Sequence, residues 1–156
     1  MKTLPVEIRF VGNHTTLPAY KTAWAAGADL IADITSPISL MAGEARTIPT
    51  GVAINLLDPD YAVLLMSRSG LGTLQIKFAN SVGLLDPDFL GEIGLIVENT
   101  GNNPHTINPK DRLGQMVIIP KVRADFTVVE TFSTTTERGE KGFGSTGISG
   151  AVGYEG

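Results

Sequence analysis

An all-β barrel or sandwich is the fold class that this sequence predicts, and three observations carry that reading. Short runs of β-branched or apolar residues recur along the chain, each punctuated by Gly, Pro, Asn or Asp. The 18 glycines and 9 prolines suit many short strands joined by tight turns. No window of a dozen residues holds a helical apolar stripe, so helices do not build the core.

Strands are expected over residues 6–10, 44–49, 51–56, 62–66, 93–98, 116–119 and 126–129. The best helical candidate is one or two turns over residues 69–74. Beyond Val129 the composition shifts to Thr, Ser, Gly and Glu, which places the end of the packed body near Phe132. The expected division is a β-barrel over residues 1–132 and a glycine-rich arm over residues 133–156. One pentapeptide echoes itself: Leu57-Asp58-Pro59-Asp60-Tyr61 returns as Leu85-Asp86-Pro87-Asp88-Phe89. Both copies read as β-turns, because proline presets φ and aspartate bonds back to nearby N–H groups. The second is flanked by Gly83 and Gly91, which permit close backbone approach by another chain or a ligand.

With 156 residues the chain fits one domain and can bury roughly two thirds of its unfolded surface. Hydrophobic residues at 42% and charged residues at 18% exclude wholesale disorder. The absence of cysteine excludes disulfides and thiolate metal sites. The N-terminus lacks a signal-peptide pattern, and no apolar run approaches the ~20 residues of a membrane span. A cytoplasmic location without membrane contact is therefore expected. A net charge of -4 and a pI near 5.1 argue against binding to a nucleic-acid backbone. An anionic ligand would need local arginines or a metal ion.

The most informative segment is Arg138-Gly139-Glu140-Lys141-Gly142-Phe143-Gly144-Ser145-Thr146-Gly147. Glycine at this density leaves the backbone too free to fold alone, so its other side chains make sense as groups that order over a ligand. Arginine suits bidentate contact with phosphate, hydroxyls and glycine N–H groups add donors, and phenylalanine offers a face to a base. The segment reads as a lid over a nucleoside triphosphate; a disordered glycine and serine tail is the alternative that composition leaves open.

Ser67-Arg68-Ser69-Gly70-Leu71-Gly72 follows an apolar strand and opens the short helix, so several N–H groups and a hydroxyl can point toward an anion. A serine-capped helix start with a surface arginine is the plain alternative. Ala26-Gly27-Ala28-Asp29-Leu30 sets one carboxylate among small and apolar residues, as a structural or turn aspartate also would. Asp111-Arg112-Leu113-Gly114-Gln115-Met116 places an arginine and a glutamine at the entry of a strand, where outward polar positions are common. His14 and His105 lack ligand spacing and carry no assigned chemistry.

In this order the segments resemble the trimeric all-β dUTPase family, the dUTP diphosphatases. The likeness spans residues 20–147 and rests on five segments: 26–32, 67–72, 80–91, 111–115 and 138–147. It implies a jelly-roll β-barrel forming a homotrimer, each site built at a subunit contact and closed by an arm from another subunit. It implies a hydrolase that converts dUTP to dUMP and pyrophosphate with Mg²⁺. That reaction limits uracil incorporation into DNA and supplies dUMP for dTMP synthesis. Asp86 would be the general base for a water attacking the α-phosphorus. Ser69, with Arg68 and the Gly70 N–H, would hold the phosphates and stabilise the departing pyrophosphate. Asp29 and Gln115 would contact, through water, a Mg²⁺ held mainly by substrate phosphates, with Arg112 as a brace. Asn80, Gly83 and neighbouring backbone groups would read the uracil edge, and Phe89 would lie under the deoxyribose. Phe143 and Gly144 would cover the uracil, and Arg138, Ser145 and Thr146 would grip the γ-phosphate.

Four positions depart from the family pattern. Phe89 replaces the usual tyrosine, Gly114 the usual alanine and Lys141 a usual glycine, while Pro87 stiffens the turn between two aspartates. Two rivals share the fold. A dCTP deaminase needs a glutamate ten residues beyond Asp86; Ile96 stands there, with Glu98 nearby. A nucleotide-dependent regulatory module would be expected to have lost Asp86 or the arm, and both are present. A regulatory protein partner is possible and is not indicated.

Overall fold

The computed structural model describes residues 3–142. In chain order they form β1 (Glu7–Phe10), β2 (Ala28–Ile31), β3 (Ile38–Leu40), β4 (Ala45–Asn55), β5 (Tyr61–Ser67) and the single helical turn α1 (Ser69–Gly72). Then follow β6 (Ile76–Phe78), β7 (Val82–Leu85), β8 (Glu92–Asn99), β9 (His105–Ile107) and β10 (Arg112–Pro120). All named pairings are antiparallel. They build two four-stranded sheets, β1-β4-β8-β6 and β2-β10-β5-β7, and a small β3-β9 ribbon. This is the expected all-β fold of jelly-roll type with one short helix.

β8 shows why these residues form a strand facing a core. Ile93, Leu95, Val97 and Asn99 are buried, while Glu92, Gly94, Ile96 and Glu98 take the other face. The inner faces of both large sheets meet in one apolar cluster that includes Leu30, Ile48, Val63, Phe78, Leu95 and Leu113. Each such side chain contributes about 1.5–3 kcal/mol on burial.

The break expected at residue 50 is a bulge inside one strand. The pairing of β4 with β8 shifts register between Pro49 and Ala53, where Gly51 takes φ +73°. Two side chains pin the bulge: the Thr50 hydroxyl donates to the Ile93 carbonyl at 2.6 Å, and the Glu92 carboxylate accepts the Gly51 N–H at 2.8 Å. β2, β3, β6, β7 and β9 were not legible as separate strands. Each has only three or four residues, too few for a period to emerge.

A buried carboxylate ties down the chain after β1. Asp33 accepts the N–H of Asn13 at 2.6 Å and of His14 at 2.9 Å, and also bonds the His14 ring Nδ1. Glycine at 12 and 51 makes room for it, since a Cβ at either position would overlap its carboxylate. Burial pushes the Asp33 carboxyl up, but the hydrogen bonds from Asn13 and His14 and the charge of His14 outweigh it, so the group lies below its usual value.

The chain divides into a compact unit, Met1–Val122, and a second unit, Arg123–Gly156. The packed unit ends at Val122, before the expected Phe132, and the strand expected over residues 126–129 is not formed. Its alternating apolar residues suit a strand, but a strand needs a ladder partner. The described residues of the second unit, 123–142, contain no strand to supply one. Phe126 and Val128 are accordingly exposed.

Candidate active site

Asp29 is the centre of a charge cluster that sequence spacing does not reveal. It lies in β2, paired with Gln115 of β10, and is only 4% exposed although it faces outward from the sheet. An Arg112 terminal N–H donates to its Oδ2 at 3.1 Å, and the Gln115 amide donates to its Oδ1 at 3.2 Å. Arg68 Nε approaches Oδ1 at 3.1 Å but lacks a hydrogen-bonding direction, leaving that buried N–H without an acceptor among the described residues. Two guanidiniums thus surround one carboxylate, a local excess of positive charge in a chain that is acidic overall. Both guanidinium side chains remain partly exposed and can meet an anion arriving from solvent.

Local packing fixes this geometry. The Asp29 backbone is clamped by mutual N–H to carbonyl bonds with Ala19. Gly27 gives the Gln115 side chain its space, because a Cβ there would sit 3.0 Å from Gln115 Cβ. Gly114 also has a packing reason: a Cβ would lie 2.7 Å from Phe78 Cζ and 3.2 Å from Leu95 Cδ1. The Phe78 ring fills the place that an alanine methyl at this position would take.

Arg68, at the end of β5, is the N-cap of α1, and no side chain caps the turn. Ser69 is therefore not the capping serine of the plain alternative; it is exposed, and its hydroxyl makes no hydrogen bond among the described residues. Nothing lies within 4 Å of a Cβ at Gly70 or Gly72, so packing does not explain either glycine, and the backbone there faces open space.

The second patch lies on the connections around β7. Asn80 is exposed in the β6–β7 turn, and its carbonyl accepts the Val82 N–H at 2.6 Å. Gly83 stands opposite Leu65, with 3.0 Å between its Cβ position and Leu65 Cβ, so sheet packing already requires a glycine. Asp86, Pro87, Asp88 and Phe89 form a turn closed by the Phe89 N–H on the Asp86 carbonyl at 3.1 Å. The Asp86 carboxylate is exposed and accepts no hydrogen bond among the described residues. In the first pentapeptide, by contrast, Asp58 spends its carboxylate on the Asp60 N–H at 2.9 Å. The echo separates into one self-satisfied turn and one turn with an open carboxylate.

The Asp86–Phe89 turn and the Arg68–Ser69 segment stand at opposite ends of one ladder, whereas Asn80, two residues before Val82, lies at the Ser69 end. In the β5–β7 ladder Met66 pairs with Val82 and Val63 with Leu85. Ser69 therefore lies past one end and Asp86 past the other, with about 20 Å of strand between Arg68 and the residue opposite Asp86. Position 96 is an outward-facing isoleucine opposite Thr47, so no carboxylate stands where a deaminase would need one.

Among the described residues no group of three or more His, Asp or Glu side chains is placed to hold a metal. Both Asp29 oxygens already face N–H donors. The described residues thus offer no direct cage for a divalent cation.

In the second unit, Arg138 Nε donates to the Lys141 carbonyl at 3.0 Å across a turn in which Gly139 has φ +53°. Lys141 thereby supplies a backbone acceptor that draws the Arg138 side chain onto its own turn. Phe143, Gly144, Ser145 and Thr146 lie outside the described residues.

The fold and the anion-directed cluster define an all-β protein built to receive a phosphorylated ligand. The dUTPase family model matches residues 13–147, and the chain belongs to that family. The deoxyuridine 5'-triphosphate nucleotidohydrolase of Janthinobacterium sp. (strain Marseille) is 46% identical over 94% of this chain and 99% of that protein. The protein of the same name from Thiobacillus denitrificans is 50% identical over 84% of this chain and 90% of its own length. Among solved structures, the Staphylococcus bacteriophage 80alpha dUTPase with dUPNHPP superposes with TM-score 0.82 at 25% identity, covering 94% of this chain and 100% of that one. A mutant dUTPase from phage phi11 of S. aureus, described as coordinating a structural Mg(II) ion, shares the fold at TM-score 0.76 and 22% identity, over 83% of this chain and 99% of that one.

Proposed function

We propose that the chain hydrolyses dUTP to dUMP and pyrophosphate, with the nucleotide shared between the Asp29–Arg68–Arg112 cluster of one subunit and the Asp86–Phe89 turn of another. The observation that carries this reading is the separation of the two patches along the β5–β7 ladder, since one triphosphate must touch both. The outer face of that sheet supports it. Met66, Val82 and Leu84 are 43%, 46% and 63% exposed and share a face with Gln115 and the buried Asp29. Covering this apolar strip with another copy would place a subunit contact beside the phosphate cluster, as a homotrimer with a site at each contact requires.

In the proposed reaction Asp86 takes a proton from a water whose oxygen forms a bond to the α-phosphorus. The bond from that phosphorus to the α,β-bridging oxygen breaks, and its electrons leave with pyrophosphate. An open carboxylate with no internal partner is free to orient that water. Arg68, the Ser69 hydroxyl and the Gly70 N–H hold the phosphate oxygens, and Arg112 braces the cluster through Asp29. Mg²⁺ would be held mainly by the substrate phosphates and would neutralise their charge, with Asp29 and Gln115 as the residues that would reach it through water.

Asn80 and the backbone near Gly83 read the uracil edge, and Phe89 lies against the deoxyribose, leaving no room for a ribose 2′-hydroxyl. A site built to hydrogen-bond uracil leaves polar groups mismatched with cytosine, worth on the order of 10⁴-fold. The family resemblance assigns Phe143 and Gly144 to the base and Arg138, Ser145 and Thr146 to the γ-phosphate. No helix among the described residues is long and apolar enough to cross a membrane, and a cytoplasmic enzyme acting on free nucleotide accords with that.

Turnover in H₂¹⁸O tests the chemistry. Attack at the α-phosphorus puts the label in dUMP and leaves pyrophosphate unlabelled; label in pyrophosphate would overturn the mechanism.

A further inference from the structure

We propose that Gly91 is a positioning residue for sugar discrimination, because its missing side chain is what allows the Phe89 ring to lie where it does. This rests on the reading of Phe89 as the ring against the deoxyribose. A Cβ at position 91 would stand 2.8 Å from Phe89 Cζ, 3.1 Å from Cε2 and 3.5 Å from Cε1. Optimal carbon contacts are about 3.5–4.0 Å, so the two groups cannot share that space. The contact involves the far end of the ring, which rests over the bare Cα of Gly91.

Backbone conformation gives no other reason for glycine here. Among the described residues the glycines with positive φ are Gly43, Gly51 and Gly139, so alanine can adopt the Gly91 backbone. Nor can position 91 retreat from the ring. The next residue, Glu92, pairs with Ala53, and its carboxylate holds the Gly51 N–H at 2.8 Å. Phe89 is tied at its own N–H to the Asp86 carbonyl at 3.1 Å, but the residue is 44% exposed and its ring can swing outward. An added methyl would therefore displace the ring at little cost to the fold. This chain needs the constraint because a phenylalanine has no hydroxyl with which to anchor its ring by a hydrogen bond.

The test compares wild type, G91A, F89A and the double variant F89A/G91A by kcat/KM on dUTP and on UTP, with thermal unfolding alongside. G91A is expected to lower the dUTP over UTP ratio about 10-fold, most of it as a gain in UTP turnover relative to dUTP. F89A is expected to lower the ratio further. Adding G91A to F89A should then change nothing, because the methyl has no ring left to move.

If F89A collapses the ratio and G91A leaves it intact, the inference about Gly91 is wrong. Equal losses on both substrates in G91A would also overturn it, since the glycine would then serve the turn as a whole. A ratio unchanged in F89A would instead refute the role of Phe89. Should G91A fail to fold, folding of F89A/G91A upholds the ring as the obstacle, and failure of that variant overturns it.

Discussion

A single carboxylate decides how the phosphate end of the site is organised. Asp29 was legible as an aspartate in a small-residue context, but not its partners, because Arg68 and Arg112 reach it from 39 and 83 positions along the chain. Its direct contacts are guanidiniums and an amide, so its first task is to orient the arginines. Asp29→Asn is expected to lower kcat/KM for dUTP by about 10- to 100-fold, since charge-assisted hydrogen bonds are lost and two cations are left to repel. A Mg²⁺ titration separates this from a metal role. The variant should reach a lower plateau with only a small shift of the half-activating Mg²⁺ concentration, as contact through water implies, whereas a marked shift would assign Asp29 to direct ligation of the ion. Gly114 also gains a packing reason that sequence alone does not show, since a Cβ there would overlap the Phe78 ring.

At the scale of elements, long alternating runs such as β8 were readable because one face is apolar over eight residues. Apart from β1, strands of three or four residues were not. The segment over residues 126–129 satisfied the same apolar pattern and formed no strand, because periodicity describes a face and says nothing of a partner. The Asp33 tether also escaped notice, since His14 had no ligand spacing; its ring serves as a hydrogen-bond partner within the fold.

Asp33 is a buried carboxylate held charged by two backbone N–H groups and a histidine, with its folded-state value lowered. Its contribution is fully present above the unfolded value of about 3.9 and is lost as pH falls through the folded one. Asp33→Asn should destabilise the protein by about 2–4 kcal/mol at pH 7. Denaturant unfolding at pH 7, 4 and 3 checks the sign: the gap between wild type and variant should narrow below pH 4. A gap that widened on acidification would contradict the tether.

For the whole molecule, the register of β5 and β7 has the largest consequence. In the proposed reading Arg68 and Asp86, about 20 Å apart along the ladder, act on one triphosphate by the combination of copies. The general-base variant Asp86→Asn is expected to lower kcat by about 10²- to 10⁴-fold, and Arg68→Ala to lose phosphate binding in the other half of the site. Mixed oligomers of these two inactive chains would contain some sites with both wild-type halves. Co-expression should therefore restore activity well above either variant alone. If each site lay within one chain, the mixture would stay as inactive as its parents. None of this composite geometry is readable from composition or spacing; the homotrimer is what the family resemblance implies, and the mixed oligomers test whether a site is shared between copies.

Selectivity for dUTP is read from pyrophosphate release with dUTP, dCTP, dTTP and UTP, each with Mg²⁺ at equal concentration. The expected result is kcat/KM for dUTP above each competitor by about 10³-fold or more. Activity on dTTP equal to that on dUTP, or ammonia released from dCTP, would contradict the account.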